Sequence, residues 1–187
     1  MEPRSRLHFL TVAAIVQAAP LTGAARAEAR VLLAQKQALE IAFSGAVPER
    51  RTAFLTDAQA KAVEEAAQAR LDSKVWTYYI AGSTTAYFES HPVRTMNETI
   101  MVVVGEGGRV RFVEILSFAE PDDYLASKRW LGQFSQKPLT DDLVLRRGLR
   151  NIAGATLTAE AVARGVRRVL AVHQVLNDKS GSDRLTP

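Results

Sequence analysis

Ile100-Met101-Val102-Val103-Val104-Gly105-Glu106-Gly107-Gly108-Arg109-Val110-Arg111-Phe112-Val113-Glu114-Ile115 reads as two strands around a glycine turn. β-Branched and apolar residues crowd both arms, and Gly105 to Gly108 supply the turn, so the segment predicts an antiparallel hairpin. Upstream, Trp76, Tyr78 and Ile80 alternate with Thr77 and Tyr79 from Val75 onward. Thr84 to Glu89 and Thr99 to Val104 have the same strand-like composition. Together these segments predict an antiparallel, twisted sheet of about three to five strands.

Helical spacing flanks the sheet on both sides. Val31, Leu32, Ala34, Leu39 and Phe43 mark a first helix over Arg30 to Phe43, which Ser44-Gly45 ends. Thr56-Asp57-Ala58-Gln59 is a capping box opening a second helix to about Leu71. Helical patterning returns from Tyr124 to Gln133 and again from Ala159 to Leu176, where Val162, Val166, Val169, Leu170, His173 and Leu176 share a face. Helices, then strands, then helices indicate an α+β domain with a C-terminal helix packed on the sheet.

The chain opens with Arg4 and Arg6, then runs uncharged from Leu7 to Ala19, and offers small-x-small sites at Ala25-Arg26-Ala27 and Ala27-Glu28-Ala29. This is the pattern of a secretory signal peptide over residues 1–29, too short and too polar at its ends for a permanent membrane span. The expected organisation is a signal, one domain over 30–176 and a polar tail over 177–187, exported to the periplasm. Cleavage removes three of the 24 basic and two of the 20 acidic side chains, taking the net charge from +4 to +3. So mild and dispersed a charge does not argue for nucleic acid, and Arg146-Arg147 and Arg167-Arg168 read as solvated faces, with steering of a phosphate as the alternative for the first pair. The chain has no cysteine, which excludes disulfides, iron–sulfur ligation and haem thioether links. His8, His91 and His173 are far apart, with no metal-ligand spacing between them.

One octet carries the chemistry: Asn151-Ile152-Ala153-Gly154-Ala155-Thr156-Leu157-Thr158. Gly154 and Ala155 leave the Thr156 hydroxyl sterically open, and the helix behind it offers free N–H groups and a positive dipole end suited to phosphate. The competing reading makes Thr158 the N-cap of that helix, with Glu160 in its first turn and Gly154 and Ala155 only shaping a loop.

Gly-Ala-Thr-Leu-Thr before a terminal amphipathic helix resembles the attachment motif of FMN-binding domains, the family that includes flavinylated subunits of Rnf and sodium-pumping quinone reductase complexes. Trp130-Leu131-Gly132-Gln133-Phe134-Ser135-Gln136-Lys137 is similar to the Trp-x-x-x-Phe-x-Gly-Lys segment preceding that motif. Phe118-Ala119-Glu120-Pro121 stands where quinone-reductase relatives have Glu-Thr-Pro-Gly, and His91-Pro92-Val93-Arg94-Thr95 resembles a stretch in secreted stand-alone members. Arg150 occupies the place of the family's acidic residue and Ala153 that of its hydroxyl residue. The resemblance spans roughly Tyr78 to Leu176 and implies FMN joined through its phosphate to Thr156 by a separate magnesium-dependent flavin transferase. It also implies a site built from Gly154, Ala155, Thr156, Leu157 and Thr158.

A flavin ring needs an apolar platform and donors that tune its potential. Trp130, Phe134 and Phe118 are candidates for the platform, each with core packing as the competing role. Lys137 is a candidate for the phosphate or the ring, and His91 and Arg94 for contacts to the ring or a redox partner. No nucleophile elbow is present, Asp122-Asp123 and Asp141-Asp142 are adjacent pairs that diverge, and no nucleotide-binding glycine loop appears. The expectation is an exported electron carrier exchanging electrons with a membrane or haem partner, with no catalytic residues of its own. The alternative is a sensor or assembly module that is flavin-free or holds FMN non-covalently.

Overall fold

The computed structural model describes residues 29–178. The expected signal, apart from Ala29, and the tail beyond Asp178 lie outside the described residues. The anticipated hairpin forms between β5 (Asn97–Val104) and β6 (Val110–Phe118), with Val102 opposite Val113. Gly107 and Gly108 take φ of 68° and 67° in the connecting turn, a region that residues with a side chain avoid.

Around this hairpin lies a six-stranded sheet, one strand more than the upper expectation, ordered β1-β6-β5-β4-β3-β2 with every neighbour antiparallel. β3 (Val75–Ala81) and β4 (Thr84–Pro92) match the alternating segments. The additional strands are edges. β2 (Glu49–Phe54) is almost wholly exposed, and its Glu-Arg-Arg-Thr sequence lacks the apolar alternation that reveals a strand half-buried in a sheet. β1 (Arg30–Val31) pairs with Phe118 and Ser117 of β6, and this pairing draws off the start of the first predicted helix, which forms only over α1 (Gln35–Phe43).

The run Ile-Met-Val-Val-Val in β5 is apolar at every position because both faces of the sheet are covered. Ile100, Val102 and Val104 enter the larger core beneath α2 (Asp57–Ala67) and α4 (Thr156–Asn177), while Met101 and Val103 enter the smaller core with Ala38, Ala42 and Phe43 of α1. Full burial of each such side chain is worth about 1.5–3 kcal/mol. α2 starts on the predicted capping box: Thr56 Oγ1 accepts from Gln59 N at 3.2 Å and Gln59 Oε1 from Thr56 N at 2.9 Å. It ends four residues before Leu71. The predicted Tyr124–Gln133 helix is shorter, with α3 (Lys128–Leu131) beginning where the Ser127 hydroxyl caps Trp130 N at 3.2 Å. Among the described residues no helix is long and apolar enough to cross a membrane.

α4 lies along the sheet through small residues. Arg167 fixes its flank, donating from Nε to Ala67 O at 2.7 Å, from Nη2 to Ala66 O at 3.0 Å and from Nη1 to Thr140 O at 2.5 Å. These carbonyls include orphans at the C-terminal end of α2, which need partners. Arg167 and Arg168, expected on a solvated face, are 2% and 8% exposed.

Candidate functional site

Thr156 is the first residue of α4, three positions earlier than the predicted helix start. Gly154 turns the chain with φ of +80°, Ala155 N reaches Ile152 O at 3.1 Å, and Ala159 N closes the first turn on Ala155 O at 3.1 Å. The N-cap is therefore Ala155, which has no side-chain hydrogen bond to offer, and the first turn has no acidic residue. Thr158 lies inside the helix and is buried, so the capping role weighed for it is overturned.

What remains at this end is a helix start whose N–H groups lack a side-chain acceptor, beside a half-buried hydroxyl and an exposed loop. Asn151 Nδ2 donates to Thr156 Oγ1 at 2.8 Å, while its own Oδ1 accepts from Ile152 N at 2.9 Å. The amide thus occupies an acceptor position of the hydroxyl and leaves its proton directed elsewhere. Leu157 stands 47% exposed beside it.

The loop before Thr156 is held from α3 and the turn that follows it. Trp130 Nε1 donates to Arg150 O at 2.6 Å, and Gln133 Oε1 accepts from Arg150 N at 2.8 Å. Trp130 packs edge-to-face on Phe134 with centroids 5.5 Å apart, and both rings are buried in the larger core, as is Phe118. Within the described chain their apolar faces therefore pack against protein, and Trp130 adds a hydrogen bond that sets the loop. Lys137 makes no hydrogen bond to Thr156 among the described residues, where Asn151 is the partner of that hydroxyl. The Lys137 carbonyl accepts from Val110 N at the start of β6, and Thr140, three residues on, binds Arg167 in the second half of α4.

His91 is neither loop-exposed nor free to meet a partner: it lies on β4 at 3% exposure. Glu89 precedes it on the same face of the strand and Glu98 sits opposite it in the β4–β5 register. His91 Nδ1 meets Glu89 Oε2 at 2.5 Å and Nε2 meets Glu98 Oε2 at 3.2 Å. Arg168 of α4 donates to Glu89 Oε1 from Nε at 2.9 Å and also from Nη2. Gly165 makes the approach possible, since a Cβ there would fall 2.6 Å from Glu89 Oε2 and 3.1 Å from His91 Cε1.

Burial opposes the imidazolium, but the two carboxylates outweigh it and push the His91 pKa up to about 9. Burial also works to raise Glu89, yet His91 and Arg168 hold it below the ordinary glutamate range. For Glu98 burial prevails over His91 and raises the carboxyl; its Oε1 is buried without a hydrogen-bond partner. Among the described residues no group of three or more His, Asp or Glu is disposed to hold a metal ion.

Arg94, the other residue considered for partner contacts, lies with its guanidinium 5.1 Å from the Tyr124 ring centroid. Glu120 Oε1 accepts from the backbone N–H groups of Arg94, Thr95 and Met96 at 3.2, 2.8 and 3.0 Å. These bonds hold the Glu120 carboxyl below its usual range and make it an anchor for that turn.

A cavity of about 640 Å³ opens at the far end of α4, lined by Gly105, Glu106, Gly108, His173, Gln174 and Asn177. His173 is seventeen residues beyond Thr156, roughly 25 Å along the helix axis. No protein-family model, curated protein or solved structure matches the chain.

Sequence reasoning missed the Glu89–His91–Glu98–Arg168 cluster. Its signal was two ionisable residues two apart in a strand, alternating onto the core face, and an arginine flanked by Val166, Val169 and Leu170 on the apolar side of the C-terminal helix.

Proposed function

We propose that the chain is an exported electron carrier whose FMN is joined through its phosphate to Thr156 by a separate flavin transferase. The observation that supports this reading is the pairing of a half-buried threonine hydroxyl with an uncapped, acid-free helix start, since such N–H groups suit a phosphate placed on the first residue of the helix. An unassisted threonine hydroxyl is a poor nucleophile, and Asn151, its polar neighbour, donates a hydrogen bond without acting as a base. A transferase would have to supply the base and the FMN donor, and the exposed Ala153-Gly154 turn leaves room for its active site.

In this reading the phosphate settles against the first turn of α4 and the isoalloxazine ring lies over the adjoining surface near Leu157. Electrons pass by short contact with a membrane or haem partner, and the protein turns over no substrate alone. The rival reading, non-covalent FMN in a sensor or assembly module, draws on the cavity at the opposite end of α4, whose size falls within the usual range for small-molecule sites.

Intact mass of the exported protein, produced with and without a flavin transferase, separates the two. Covalent attachment adds one FMN less water only when the transferase is present, and Thr156→Ala abolishes the gain. An unmodified mass in every sample contradicts the covalent carrier.

A further inference from the structure

Beside the buried cluster is a cavity of about 210 Å³, bounded by Ala161, Arg164 and Arg168 of α4, by Arg70 and Asp72 after α2, and by His91. Arg168 lies at its inner wall with a side chain 9% exposed. Two of its three guanidinium nitrogens, Nε and Nη2, are committed to Glu89. Nη1 has no hydrogen-bond partner among the described residues, yet it is not among the buried atoms left without one. Nη1 is therefore not fully buried, and Arg168 lines both this cavity and a second one of about 140 Å³.

The charges around this space are unequal. Arg70 and Arg164 join Arg168 around the 210 Å³ cavity, and Asp72 is the acid among its lining residues. Arg164 reaches Glu160 at 3.7 Å with both side chains nearly half exposed, a pairing weak enough to be exchanged for a better acceptor. Behind the wall, Arg168 and His91 face Glu89 and a Glu98 whose burial favours its neutral form. Three arginines lining one small space suit the oxygens of a phosphate group, which accept parallel N–H bonds from a guanidinium.

We propose that this cavity is a binding site for a phosphate group, held on Nη1 of Arg168 with Arg70 and Arg164 closing over it. It goes beyond the flavin reading and does not depend on it: Arg164 is eight residues past Thr156, roughly 12 Å along α4, so the two places are separate. Its ligand is a free phosphate ion or a small phosphomonoester.

Calorimetric titration of the folded, unflavinylated chain with inorganic phosphate tests the site, against sodium chloride at matched ionic strength because exposed charges are screened by any salt. Saturable one-to-one binding is expected, weakened about tenfold in Arg70→Gln and in Arg164→Gln, the scale of losing one charge-assisted contact. Both side chains are exposed, so these variants keep the fold, which their unfolding curves check. Thr156→Ala should bind phosphate as the wild type does. Phenyl phosphate run alongside separates the sources: tighter binding than inorganic phosphate identifies a monoester as the ligand, and weaker binding identifies the free ion. A response no different from chloride, equal binding in the Arg70→Gln/Arg164→Gln double variant, or loss of binding in Thr156→Ala overturns the proposal.

Discussion

In its first turn α4 carries Thr156, Leu157 and Thr158, none of them ionisable, and has no side-chain cap. Further along, the same helix buries two guanidinium groups, one on three backbone carbonyls and one on Glu89. The middle holds the helix to α2 and the sheet, so the first turn can stay uncapped without detaching it. A free helix end costs little when the contacts that fix the helix are elsewhere, and it leaves N–H groups for a ligand.

The largest way to break this division of labour is Glu89→Ala. It leaves Arg168 and His91 buried without their shared counter-charge, for which a loss of about 3–5 kcal/mol is expected. Equilibrium denaturation measures it, and a loss below about 1 kcal/mol would show that the cluster does not hold α4.

Varying pH loosens the same contacts without mutation. Because folding raises the His91 pKa to about 9, its contribution is complete below the unfolded value of about 6.5 and disappears as pH rises through about 9. Glu98, also raised, loses its contribution in the same direction, whereas lowered Glu89 loses its contribution on acidification. Stability of the wild type should therefore decline between neutral and alkaline pH, and His91→Gln should flatten that decline. Parallel curves for the two proteins would place the alkaline loss elsewhere.

Gly165→Ala probes the packing rather than the charge. Alanine favours a helix over glycine by about 1 kcal/mol, but here its Cβ meets Glu89 Oε2 and His91 Cε1, and overpacking should give a net loss of about 1–3 kcal/mol. A stabilised variant in thermal unfolding would mean the cluster yields easily. The smallest effect belongs to the open end: Thr156→Ala should change stability by less than about 0.5 kcal/mol, and a larger loss would make its bond from Asn151 a structural one.

The two regions also differ in how far the sequence discloses them. Gly154, Ala155 and Thr156 are consecutive, so the open turn is legible in the sequence alone, although the helix begins at Thr156, earlier than the spacing of Val162 and Val166 suggests. The cluster joins residues up to 79 positions apart, and only the antiparallel register sets His91 opposite Glu98. Within the sheet, β5 announces itself by burial on both faces. β2 does not, because an exposed edge strand needs only a neighbour's backbone and places no apolar demand on its side chains.

Hydrogen–deuterium exchange along α4 in the unflavinylated chain tests the central claim most directly. Amides of 156–158 should exchange rapidly and those of 163–172 only on the timescale of global unfolding. Equal, strong protection from Thr156 onward would contradict an open end on a locked helix.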